Sequence, residues 1–192
     1  MAHFPILVRR AGAFGDSVVA LRPIEPGEHL LTFKGPVLDA SEYRQALGAN
    51  PRGRFLQIGQ DLYIGPGGGL DDYVTHSCEP NCRLRYASGG IDLVAIRPIA
   101  RGAQVTFDYA TSRNDARHRI RCACGAATCR GEIGNFDDLP AALKWRYNSD
   151  GMLAPWLSDY LVRRARRRFP DEPVPLRKSP RAIRKRKRVG IS

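Results

Sequence analysis

The stretch RCACGAATCR, residues 121–130, sets Cys122, Cys124 and Cys129 into one short glycine-containing loop. Three thiolates so close read as a zinc clasp, but a structural zinc takes four ligands at tetrahedral corners. No cysteine or histidine follows, and the chain holds only five cysteines. The other two, Cys78 and Cys82, stand more than forty residues upstream in THSCEPNC, residues 75–82. A complete site therefore requires the chain to fold back on itself, and spacing alone does not choose between Cys78 and Cys82.

Working outward, the 192 residues suit one domain with appendages, with a hydrophobic share of 43% that is ordinary for a globular protein. Clustered cysteines in odd number fit metal binding in a reducing compartment better than a disulfide framework. The start, MAHFPILVRR, has too short an apolar run for a signal peptide, and no stretch is long enough to span a bilayer, so no membrane role is expected. A cytoplasmic or nuclear setting is the expectation. The net charge of +12 is uneven: Arg163 to Arg188 carries 13 Lys/Arg against Asp171 and Glu172, while the remainder has 18 against 17 acidic residues. Residues 163–192 thus read as a basic, disordered tail suited to non-specific nucleic-acid contact, with RKRKR (184–188) readable as a nuclear-import signal. The tail has no grouped aromatics on which bases could stack.

Short apolar runs bounded by Gly and Pro recur through the first 110 residues: ILVRR, SVVAL, HLLTF, FLQIG, DLYIG, CRLRY, DLVAI and QVTFDY. Their length and their β-branched and aromatic content predict strands. A helix is predicted from Ser41 as N-cap to a stop at Gly48, and helical signal returns in DDLPAALKWRYN and APWLSDYLVRRARRR, where Trp156 and Tyr160 share a face. ALRPIEPG (20–27) and AIRPIARG (95–102) agree in five of eight positions, which predicts two similar small hairpins packed together. A β-rich domain of several small sheets follows, since helices of crossover length are missing between the strands.

THSCEPNC (75–82), VTFDYA (105–110) and CACGAATCRGEI (122–133), in this order and spacing, resemble the SET-domain protein lysine methyltransferases with a post-SET zinc motif. The resemblance spans roughly residues 12–135. It implies a mainly β fold: several small curved sheets, a knot-like C-terminal loop, short helices and a C-terminal helical extension. The expected division is a SET domain at 1–115, a post-SET zinc segment at 116–135, the helical extension at 136–162 and the tail at 163–192.

By the same resemblance, Cys78 joins Cys122, Cys124 and Cys129 on one Zn2+, leaving Cys82 as a buried small hydrophobe. The implied cofactor is S-adenosylmethionine, held by the turn Gly15, Asp16 and Ser17, by Thr75 and His76, and under Ile133, with Asn81 ordering the knot-like loop. Tyr109 is the implied catalytic residue, orienting the lysine nitrogen and the methyl for in-line displacement. The amine must be neutral, although free lysine titrates at about 10.4, and a neighbouring sulfonium and a desolvated channel both lower that value. Phe107 stands where relatives carry either Phe or Tyr, and Phe implies di- or trimethylation. The implied substrate is a lysine in an extended, basic, histone-like peptide, with Asp71 and Asp72 expected to favour it electrostatically. The sequence departs from the family wording at Thr75 (usually Asn), at Phe33 (usually Tyr) and in GPGGGLDDY (65–73). The rival reading is a weakly active or inactive, zinc-stabilised SET-like module that binds nucleic acid or chromatin through its tail.

Overall fold

Where apolar residues alternate between glycine and proline, the chain forms short strands that pair into sheets of two or three. The computed structural model describes residues 6–12, 15–50, 53–115, 119–170 and 173. Strands β1 (Leu7–Arg10) and β2 (Ser17–Ala20) form an antiparallel pair. Strands β3 (His29–Phe33), β8 (Cys82–Ala87) and β9 (Gly90–Ala95) make a three-stranded antiparallel sheet in the order β3-β9-β8. A second sheet has the order β4-β6-β5, from Val37–Asp39, Leu62–Ile64 and Leu56–Gln57. β7 (Thr75–His76) runs parallel to β10 (Thr106–Phe107), and β11 (Ile120–Arg121) antiparallel to β12 (Glu132–Ile133). All eight predicted apolar runs contain strands. The four strands not predicted, β4, β7, β11 and β12, are two or three residues long, too short to show a period of two.

The two echoed segments pair with each other. Ile24 and Ile99 exchange both backbone hydrogen bonds at 2.9 Å, and the antiparallel register extends to Gly102 N–H on Ala20 O (2.7 Å) and Gly27 N–H on Ala95 O (2.8 Å). Gly27 and Gly102 take φ of +92° and +82° at their turns, a conformation that disfavours any Cβ. Like sequences thus meet as the two halves of a local dyad at the centre of the main core, where Val18, Ile24, Leu84, Leu93, Ile99 and Val105 are buried.

Helix α1 spans Ala40–Ala49, and its cap differs from the prediction. Asp39, not Ser41, is the N-cap: its carboxylate accepts from Ser41 N (2.7 Å) and Glu42 N (2.9 Å), while the Glu42 carboxylate accepts from Asp39 N (2.9 Å). This reciprocal box closes three backbone amides, and Gly48 is carried inside the helix. Helices α2 (Ala141–Ser149) and α3 (Pro155–Arg168) follow. Pro140 delays α2 until after the Asp137–Asp138 turn because proline is tolerated only at a helix start. α3 continues through Arg168, so the first six residues read as tail are helical; residues 171, 172 and 174–192 lie outside the described residues.

Both helices pack on a second apolar cluster of Phe136, Leu139, Tyr147, Leu153, Leu157 and Leu161, with Trp156 and Tyr160 against it from one side of α3 as predicted. Each such side chain, fully buried, contributes about 1.5–3 kcal/mol. The cluster also contains Ala110, so it begins one residue beyond the expected catalytic tyrosine.

Candidate active site and thiol cluster

The Sγ atoms of Cys78, Cys122, Cys124 and Cys129 lie within 4.8 Å of one another, and Cys78 and Cys122 are 3.9 Å apart. A tetrahedral ion with bonds of about 2.3 Å places its sulfurs about 3.8 Å apart, so the donor set fits zinc. Backbone amides reinforce it: Arg130 N points at Cys78 Sγ (3.4 Å), Cys78 N at Cys124 Sγ (3.5 Å) and Gly131 N at Cys129 Sγ (3.4 Å). Burial raises the thiol of Cys124, but the amides of Cys78 and Ala126 and the thiols of Cys122 and Cys129 outweigh it and bring it down to about 6. Burial pushes Cys122 up to about 12. Cys82 stands apart, fully buried in the main core with its thiol on Asn81 Oδ1. The post-SET loop is also clamped by Glu79, whose carboxylate accepts from Thr128 N (3.0 Å) and Oγ1 (2.7 Å).

Asn81 orders the adjoining crossing. Its amide donates to Gln104 O (2.7 Å) and its carbonyl accepts from Thr106 N (2.8 Å), stitching the THSCEPNC segment to the strand that leads into TFDY.

A cavity of about 220 Å3 lies beside this crossing. Phe33, Tyr43, Phe55, Tyr73, Phe107 and Tyr109 give it aromatic walls, and Asp16, Thr75 and Ile120 line it as well. The Tyr109 hydroxyl donates to Val74 O at 2.8 Å, and burial pushes its pKa up to about 12, so it remains a donor at neutral pH. Phe107 packs against Phe33 (6.0 Å between centroids, 77° between planes) and Tyr109 (4.9 Å, 47°).

The expected cofactor residues divide. Asp16 and Thr75 line the cavity, and the Thr75 Oγ1 is buried without a hydrogen-bond partner among the described residues. Gly15 takes φ of +102° with open space around the position of a Cβ. Asp16 is held by Arg9, whose Nε donates at 2.7 Å. Ser17 is turned inward, its hydroxyl accepting from Gln104 Nε2 (3.3 Å), which leaves only its backbone for a ligand. Ile133 pairs with Ile120 across β11 and β12 and does not itself line the cavity. The His76 ring lies behind the cavity. Burial lowers its pKa to about 4, its Nδ1 accepts from Tyr109 N (3.2 Å), and its Nε2–H points at Cys78 Sγ (3.3 Å). It joins the thiol cluster to the tyrosine and offers a ligand only backbone.

Asp71 and Asp72 do line the cavity, but as turn organisers. Asp71 accepts from Lys34 N (2.8 Å), and Asp72 from Gly68 N (2.7 Å) and Gly67 N (3.2 Å). With Asp16 they share the lining with Lys34, Arg54 and Arg113, so acidic and basic side chains are equal in number on these walls.

Sequence reasoning missed two features. Tyr73 is stacked against both Arg9 (3.9 Å) and Arg54 (4.4 Å), residues distant in sequence. Asp108, within TFDY, is fully buried and accepts from Arg130 Nη1 and Nη2 (both 2.8 Å), Tyr147 Oη (3.0 Å) and Ala110 N (3.1 Å). Only the burial of an aspartate inside an apolar strand ending, where it must find partners, could have signalled this hub.

A family model described as the SET domain matches residues 15–110, half of the chain. The chain is 34% identical over 146 residues to Histone-lysine N-methyltransferase Set2 of Drosophila melanogaster, which takes in 70% of this chain and 6% of that protein. It is 30% identical over 146 residues to Histone-lysine N-methyltransferase 2B of Homo sapiens, 64% of this chain and 5% of that one. The chain thus spans a small fraction of the length of these relatives. Among solved structures, one from work on the structural basis for the product specificity of histone lysine methyltransferases superposes with a TM-score of 0.56 at 20% identity, covering 67% of this chain and 55% of that one. The shared fold and the family match, which takes in Asp16, Thr75, Phe107 and Tyr109 of the cavity, make this chain a member of the SET-domain family.

Proposed function

We propose that the chain is an S-adenosylmethionine-dependent protein-lysine N-methyltransferase that di- or trimethylates a lysine in an extended, histone-like peptide. The observation that carries this reading is the protonated Tyr109 hydroxyl, fixed on the Val74 carbonyl inside an aromatic-walled cavity. With its proton committed to Val74, the Tyr109 oxygen keeps lone pairs for the lysine nitrogen and for weak C–H contacts to a methyl group. The aromatic walls exclude water and favour the neutral amine, and Phe107 leaves space where further methyls must turn. When bound, S-adenosylmethionine supplies the sulfonium methyl; Thr75 Oγ1, Asp16 and the backbone at Gly15, Ser17 and His76 are the groups that would hold it, with Ile133 next to its edge. Cys78, Cys122, Cys124 and Cys129 would hold one zinc ion that ties the post-SET loop to the His76 segment.

The basic character of the substrate rests on the likeness to histone methyltransferases, since the cavity walls are charge-balanced. A nuclear or cytoplasmic setting belongs to the same reading; among the described residues no helix is long and apolar enough to cross a membrane.

The test is intact-mass spectrometry of mixed histones after incubation with S-adenosylmethionine, wild type beside Tyr109→Phe. Gains of two or three methyls that vanish in the variant are expected. Equal gains with both proteins would remove Tyr109 from the chemistry, and failure of the wild type to bind S-adenosylmethionine would overturn the enzyme reading.

A further inference from the structure

At about 100° per residue, α3 presents two distinct faces. Leu157 and Leu161, both buried, run along the side packed on the second apolar cluster. Measured from the midline of Leu157 and Leu161, Tyr160, Arg163 and Arg167 are turned by about 80–140° and Arg164 and Arg168 by less, and the five line a shallow concavity. Arg164 is tied to Asp137 Oδ1 (3.0 Å) and to the Tyr160 hydroxyl (3.0 Å), yet its side chain remains 63% exposed. Arg163 and Arg167 are exposed and have no acidic partner among the described residues.

Basic side chains in a last helical turn complement the macrodipole, which accounts for Arg166 to Arg168. It does not account for Arg163 and Arg164 further up the helix, nor for like charges stacked at i and i+4, Arg163 over Arg167 and Arg164 over Arg168, which repel. We infer that this face of α3 is a docking surface for the phosphate backbone of duplex DNA.

The chemistry selects that occupant. A protein partner needs an apolar, charge-depleted centre to its interface, and this face carries no aliphatic side chain. A single strand is held largely by stacking on open aromatics, whereas the Tyr160 ring is half-buried with its edge against Phe136 at 6.1 Å. What the face does offer is a rigid row of guanidinium forks, which match phosphate oxygens in pairs, set against a backbone with one charge per about 1.7 Å of duplex. The chain continues with the same sign: eight Lys/Arg against Asp171 and Glu172 in residues 171–192. None of this depends on methyl transfer.

The test is fluorescence anisotropy of a labelled short duplex with the full chain, titrated with salt between about 50 and 200 mM. Arg163→Gln/Arg167→Gln is compared with the equal charge change Arg184→Gln/Arg186→Gln, and circular dichroism unfolding confirms that each variant folds. Releasing about 0.9 counterions per phosphate contact, the helix pair should lower the slope of log K against log salt by about 2. A helix pair with the wild-type slope and affinity, whatever the other variant does, would overturn the inference. So would absence of duplex binding by the wild type, including the case in which a poly-glutamate peptide binds instead.

Discussion

Replacing Arg130 by Met should cost far more than an ordinary ion pair. Asp108 is fully buried and its two oxygens accept four hydrogen bonds, two from the Arg130 guanidinium at 2.8 Å. Met keeps most of the stem volume and removes the charge, leaving the carboxylate with Tyr147 Oη and Ala110 N alone. A buried charge stripped of its partner costs about 3–5 kcal/mol. The Arg130 side chain is 19% exposed, so water can enter behind the shorter side chain, and the lower end, about 3 kcal/mol, is the expected loss. Asp108→Asn alone should also destabilise, because it leaves the guanidinium uncompensated. In the double variant neither charge remains, so the two losses should not add: a coupling of at least about 1 kcal/mol is expected. Urea unfolding at saturating zinc, with bound metal measured alongside, reads all four corners of the cycle. Additive losses would refute the claim that the pair acts as a unit.

Cys78→Ser should abolish stoichiometric zinc, while Cys82→Ala should keep the metal and lose only stability; equal zinc loss from both in a metal assay would refute the assignment of ligands. Phe107→Tyr should stop the product at the monomethyl stage with the first methyl transfer retained, read by mass spectrometry on a lysine peptide; unchanged trimethylation would count against Phe107. Because burial holds the Tyr109 phenol at about 12, its donating form is half lost only at that pH and prevails below it. The pH profile of kcat/KM should therefore rise as the lysine amine, about 10.4 when free, deprotonates. A falling limb between about pH 8 and 10 would be incompatible with a tyrosine protonated throughout that range.

The strands and the thiol cluster were legible because each rests on a local or compositional signal. Runs such as SVVAL and DLVAI announce their period within five residues, and only one upstream cysteine had both the resemblance and, as it proves, the reach to complete the set. The cap of α1 misled because Ser41 and Asp39 are both good N-caps. The choice falls to Asp39 because Glu42 stands three residues after it and completes the reciprocal box. Asp71 and Asp72 were legible as charges but not as turn organisers, because only the folded loop brings the amides of Lys34, Gly67 and Gly68 onto their oxygens. The Tyr73 stack and the Asp108 hub were invisible because their members come together only in the tertiary fold.

That hub alters what counts as the active domain. The family match ends at Ala110, yet Ala110 is itself buried in the cluster built by Phe136, Leu153, Leu157 and Leu161. The turn after Tyr109 is bound to the extension by backbone: Ala154 N donates to Thr111 O (2.8 Å) and Phe136 N to Arg113 O (2.8 Å). Tyr147 of α2 reaches the carboxylate next to Tyr109, Arg130 of the post-SET loop reaches it from another side, and His76 holds the Tyr109 amide while touching Cys78. Tyr109 is thereby fixed from three directions by segments far apart in sequence. In the role proposed for Tyr109, where misplacing a reacting group by about 1 Å can cost a hundredfold in rate, the extension and the thiol cluster would act on the chemistry through the position of one hydroxyl. On this argument α2 and α3 are not an appendage to a SET domain but the wall against which the turn after Tyr109 is set.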